Sequence, residues 1–63
     1  MITPPDTGSL WANRLTGDIV MVVSAYRTGH QYDRHYLCKC SNSKKGILDI
    51  EDYELYRLYE RVK

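Results

Sequence analysis

The sequence of 63 residues has no phenylalanine and a single tryptophan, so the large side chains of any core must come from elsewhere. It has two cysteines, two prolines and four glycines. No stretch reaches 18 apolar residues, which excludes a transmembrane helix. The opening Met-Ile-Thr-Pro-Pro-Asp lacks a basic segment followed by an apolar one, so no secretory signal is expected. Two cysteines without that context lead us to expect free thiols in a reducing, cytoplasmic compartment. Catalytic patterns are missing as well. Ser9, Ser24, Ser41 and Ser43 lack a Gly-x-Ser-x-Gly context, no glycine-rich phosphate loop is present, and Asp6 to Asp18 offers no carboxylate pair at a familiar spacing. These absences lead us to expect no enzyme and no cofactor.

What remains is enough for one small domain. Apolar residues make up 43% of the chain and charged residues 27%, too apolar a balance for disorder. A chain of about 60 residues buries only about 60% of its unfolded surface, leaving little stability to build a deep pocket. Surface recognition is the natural work of such a scaffold. Six tyrosines supply aromatic area with a polar tip, suited to positions half in the core and half in water.

Net charge is +1, too small to point to nucleic acid by itself. Its distribution is uneven. Residues 1–48 carry Arg14, Arg27, Arg34, Lys39, Lys44 and Lys45 against Asp6, Asp18 and Asp33. Residues 49–63 carry Asp49, Glu51, Asp52, Glu54 and Glu60 against Arg57, Arg61 and Lys63. A mildly basic body is followed by an acidic end segment, which permits partners of either sign.

The pattern predicts mostly β structure. Residues 1–8, with Pro4 and Pro5, read as an extended lead-in to a single domain over 9–63. Ser9 to Leu15 alternates in period two, and Thr16-Gly17-Asp18 marks a turn. The β-branched run Ile19 to Val23 fits a central strand reaching Tyr26. A third strand over 31–40 places Tyr32, Tyr36, Cys38 and Cys40 on one face and Asp33, His35, Leu37 and Lys39 on the other. A polar loop over 41–46 and a short strand over 47–50 follow. A helical turn is predicted near 51–56, started by acids that suit a helix N-terminus, with strand or further helix beyond it. About five short antiparallel strands with tight turns suggest a small SH3-like barrel. A three-stranded sheet packed on a C-terminal helix is the competing arrangement.

Residues 8–22, Gly-Ser-Leu-Trp-Ala-Asn-Arg-Leu-Thr-Gly-Asp-Ile-Val-Met-Val, carry a resemblance. They resemble the opening of small bacteriophage and prophage SH3-like barrel proteins, in which a Gly, a Trp, an Asn-Arg-x-Thr-Gly turn and a Val-rich strand follow one another. Those proteins also have a later Tyr-containing strand and an apolar-x-x-x-Tyr close, matched by Tyr36 and by Leu55 with Tyr59. The resemblance spans 8–62 and is specific over 8–23. It implies an SH3-like fold and a phage origin, and carries no catalytic residue across, since most such proteins have no assigned activity.

The densest candidate for recognition is the segment 26–36, with Tyr26, Arg27, His30, Tyr32 and Arg34 around a predicted hairpin tip. Tyr and Arg together suit protein anchoring and base stacking alike. With Arg14 and Lys39 they form the candidate partner-binding set. An ordinary solvated hairpin is the alternative. Trp11 reads either as an exposed anchor in the same set or as a plug in the barrel core. Cys38 and Cys40, two residues apart on a strand, would hold their sulfurs about 6–7 Å apart, too far for one tetrahedral zinc ion. They read as small apolar residues on an inward face. The sequence thus leads us to expect a phage-encoded accessory protein that binds a bacterial host protein in the cytoplasm, with nucleic acid as the alternative ligand and no membrane partner.

Overall fold

The computed structural model describes residues 4–27 and 35–63. Among them five strands and one helix run in the order β1 (Leu10–Asn13), β2 (Ile19–Arg27), β3 (Tyr36–Asn42), β4 (Gly46–Glu51), α1 (Asp52–Leu58) and β5 (Tyr59–Arg61). The strands form one antiparallel sheet in the order β4-β3-β2-β1-β5. A small, mostly antiparallel globule with a single short helix before its last strand has the SH3-like character expected from the sequence.

The turns follow from their side chains. Asn13 Oδ1 accepts the backbone N–H groups of Leu15 (2.8 Å) and Thr16 (3.0 Å). Thr16 Oγ1 accepts the N–H of Asp18 at 3.2 Å. Gly17 donates its N–H to the Asn13 carbonyl at 2.8 Å and sits at φ +78°, where a side chain would be strained. The turn therefore consumes Arg14 to Thr16, and β1 is shorter than the alternation predicts. The next turn shrinks the expected 41–46 loop to three residues. Ser41 and Asn42 continue β3 opposite Ile47 and Gly46. Buried Asn42 accepts the N–H groups of Lys44 and Lys45, each at 2.8 Å, and donates Nδ2–H to the Ile19 carbonyl at 2.9 Å.

β2 is the middle strand and carries an irregularity. Val22 faces Cys40, but Ser24 already faces Lys39 and Ala25 faces Cys38. One extra residue in β2 between these pairs lets Val22 and Ala25 both point inward, three positions apart. The core consists of Trp11, Val20, Val22, Cys38, Cys40, Ile50 and Leu55, with Ala25, Leu48 and Tyr59 packed against it. β3 places Tyr36, Cys38 and Cys40 on one face as predicted, with both cysteines fully buried, and β4 turns Leu48 and Ile50 to the same core. The end of the chain resolves as a strand. Tyr59 turns extended (φ −123°, ψ 158°), and β5 pairs with β1 through Asn13 opposite Tyr59 and Trp11 opposite Arg61.

The described part of the lead-in is docked on the sheet. Pro5 is buried. Gly8 donates its N–H to the Val22 carbonyl at 2.7 Å, and Asp6 Oδ2 meets Arg61 Nη1 at 3.0 Å. Among the described residues no helix is long and apolar enough to cross a membrane.

Candidate binding surface

The inner face of the sheet extends past the core at one end. Beyond the Ala25–Cys38 pair the next inward pair is Arg27 opposite Tyr36. There the Arg27 guanidinium lies 5.9 Å from the centre of the Tyr36 ring, a cation–π distance. The start of α1 is fastened to the same place. Asp52, 2% exposed, accepts the Tyr36 backbone N–H on Oδ2 at 3.2 Å and meets His35 Nδ1 through Oδ1 at 3.2 Å. His35 in turn stands edge-on to Tyr53, with ring centres 5.1 Å apart.

Three residues further along α1, Tyr56 leans on Trp11 with centroids 5.6 Å apart. Burial, and then the charge of Asp52, raises the Tyr56 phenol above its ordinary pKa. Tyr53 and Tyr56 are nonetheless 46% and 45% exposed. The outcome is a ledge along α1 on which Arg27, Tyr36, His35, Tyr53 and Tyr56 follow one another. Its rings are backed by Asp52 at one end and by Trp11 at the other.

The candidate residues named from sequence are divided by this geometry. Arg27 belongs to the ledge. Tyr26 is its neighbour in sequence but pairs with Leu37 on the opposite, outer face. Lys39 is also on the outer face, opposite Asp49. Arg14 lies at the far end of β2, some eight residues or about 26 Å from Arg27. His30, Tyr32 and Arg34 lie outside the described residues. Of the two readings of Trp11 the core plug holds and the exposed anchor does not: it is 7% exposed, packed in the core and stands behind Tyr56. Its indole N–H is satisfied by Ser9 Oγ at 2.9 Å, and Ser9 donates to the Asp6 carbonyl at 2.6 Å.

Two further expectations change. His35 does not face away from the cysteines by strand alternation, because it precedes β3 and is drawn to Asp52. Asp52 is not one of a solvated group of acids at a helix start, since both its oxygens are engaged by the beginning of β3.

The thiols have the character of core groups. Burial pushes Cys38 up to about 11, reinforced by Cys40, Asp52 and Glu51, and pushes Cys40 up to about 11, reinforced by Asp49. Both are free and fully buried, so neither is a reactive thiolate near neutral pH. Among the described residues no cluster of three His, Cys, Asp or Glu side chains could hold a metal ion.

The described basic residues of the body, residues 1–48, do not share a face. Arg27 lies on the inner ledge, Lys39 on the outer face, and Arg14, Lys44 and Lys45 at the opposite end beside the turns. The chain matches no family model, no curated protein and no solved structure.

Proposed function

We propose that the chain is a small non-catalytic binding module, a phage-encoded accessory protein that binds a bacterial host protein and modulates it. The observation that carries the binding reading is the ledge. Two half-exposed tyrosines are held on a short helix by rings and a buried carboxylate behind them. Tyr with Arg is the composition of protein-binding hot spots, and rings fixed in place lose little conformational entropy on binding. The phage origin is supported by the Gly8 to Val22 opening and its likeness to small phage barrels. Nucleic acid is the less favoured ligand, because phosphate neutralisation needs cations along one track and the described ones of residues 1–48 are divided among three regions.

The test is capture of partners from bacterial lysate by the tagged chain, with and without nuclease, beside Tyr53→Ala and Tyr56→Ala variants checked for folding by circular dichroism. A protein enriched in both nuclease arms and lost with either variant is the expected result. Enrichment that disappears with nuclease makes nucleic acid the ligand. A partner retained by both folded variants removes the ledge as the site.

A further inference from the structure

One cross-strand row on the outer face of the sheet is apolar at every position but one, Ser41. Ile47 on β4, Ser41 on β3, Met21 on β2 and Leu10 on β1 stand in one cross-strand row. Val62, whose N–H donates to the Leu10 carbonyl at 2.8 Å, extends the row beyond β5. Ile19 and Val23 flank Met21 along β2. Ile47 is 57% exposed, Val62 53%, Ile19 46%, Met21 40% and Val23 39%. Singly exposed apolar residues need no explanation, but five of them gathered on one face of a chain this small do.

We propose that this face joins two copies of the chain around a two-fold axis running along β2. The strand order makes β2 the centre of the sheet, with two strands on either side. Rotation about it lays the β3–β4 half of one copy on the β1–β5 half of the other. Met21 then meets its own counterpart, Ile47 meets Val62, and Ser41 meets Leu10. The charges at the stripe's margin agree with that operation. Lys45 stands two residues from Ile47 at the β4 end, and Glu60 stands two residues from Val62 on β5, opposite Ala12. The axis brings Lys45 of each copy toward Glu60 of the other. Among the described residues the Lys45 ammonium makes a long pairing with Asp18, at 4.0 Å, with both side chains part-exposed. Such an isologous contact is self-complementary, as closed two-fold dimers require.

Five strands about 4.8 Å apart, over some six residues of about 3.3 Å, give a face of roughly 480 Å² per copy. The pair would bury about 1,000 Å², the floor for a specific interface, so the dimer is weak and depends on concentration. α1 lies on the other side of the sheet, so each copy keeps its ledge clear.

The experiment is sedimentation of the full chain from about 10 µM to 1 mM, a range that spans weak self-association. Wild type should pass from monomer to dimer. Met21→Glu, and separately Ile47→Lys, should remain monomeric with unchanged circular dichroism. Lys45→Glu and Glu60→Lys should each weaken association by about fivefold, and the double variant should restore it, the expectation for a charged pair across an interface. A wild type monomeric throughout overturns the proposal. So does a dimer that survives both apolar-face variants, or a double charge variant no better than either single one.

Discussion

Replacing Asp52 with alanine should nearly unfold this protein, although the residue belongs to no hydrophobic contact. Its carboxylate is buried, takes the Tyr36 N–H on one oxygen and meets His35 on the other. A hydrogen bond to a charged group contributes about 1.5–3 kcal/mol net. His35 is half exposed and recovers part of its loss through water, so the two contacts together should be worth about 2–4 kcal/mol. A domain of this size has only about 3–5 kcal/mol in all. With a urea dependence of about 1 kcal/mol per molar, Asp52→Ala should lower the unfolding midpoint by about 2–4 M. Asp52→Asn keeps an acceptor for Tyr36 and a donor toward His35, and should lose about half as much. His35→Ala gives the third corner of a double-mutant cycle, which separates the ring contact from the backbone one. If Asp52→Ala moved the midpoint by less than about 0.5 M, the clasp between α1 and β3 would contribute nothing and the backing assigned to the ledge would be wrong.

Two other perturbations address different parts of the molecule. Asn42→Ala removes two hydrogen bonds within the β3–β4 turn and one to the start of β2, and should cost about 2–3 kcal/mol, read as a fall in Tm of about 10 °C or more, whereas Asn42→Asp keeps the acceptor and should lose less. Alkaline pH should destabilise the chain through its cysteines: each folded thiol titrates near 11 against 9.0 for the ordinary group, so the unfolded chain releases protons first. The stability held below pH 9 should then fall as the pH rises from 9 toward 11, and a Cys38→Ala, Cys40→Ala variant measured by urea titration should lose that component of the slope.

The strands were legible where one local rule governed them. The run Ile19 to Val23, the alternation of Cys38 with Cys40, the short strand over 47–50 and the glycine turn at 17 all translate directly into the sheet. The Asn-Arg-x-Thr-Gly segment is now seen as a turn device, in which Asn13 and Thr16 cap backbone donors and Gly17 takes a positive φ. Such a device bears on fold more directly than on function. Trp11 could not be decided in advance, because a core plug and a surface anchor occupy the same period-two position. The clasp was not legible at all. Asp52 finds His35 across 17 residues, and acidic neighbours on both sides disguise it as part of a solvated helix start. Tyr53 and Tyr56 were likewise passed over, since their value depends on Trp11 and His35 standing behind them.

The extra residue in β2 also divides that strand into two segments of opposite parity. On the Ile19 side the inward positions are even-numbered, Val20 and Val22; on the far side they are odd-numbered, Ala25 and Arg27. Loss of the extra residue, Val23, would leave Val22, Ser24 and Ala25 in plain alternation opposite Cys40, Lys39 and Cys38, with every pair and every face kept. A second extra residue at the same place would instead force the distal half of β2 to slip against β3 or to turn its faces over, exchanging Arg27 for a neighbour on the ledge. The faces of this half-strand are thus held by its pairing with β3, and the strand should tolerate a shortening here better than a lengthening.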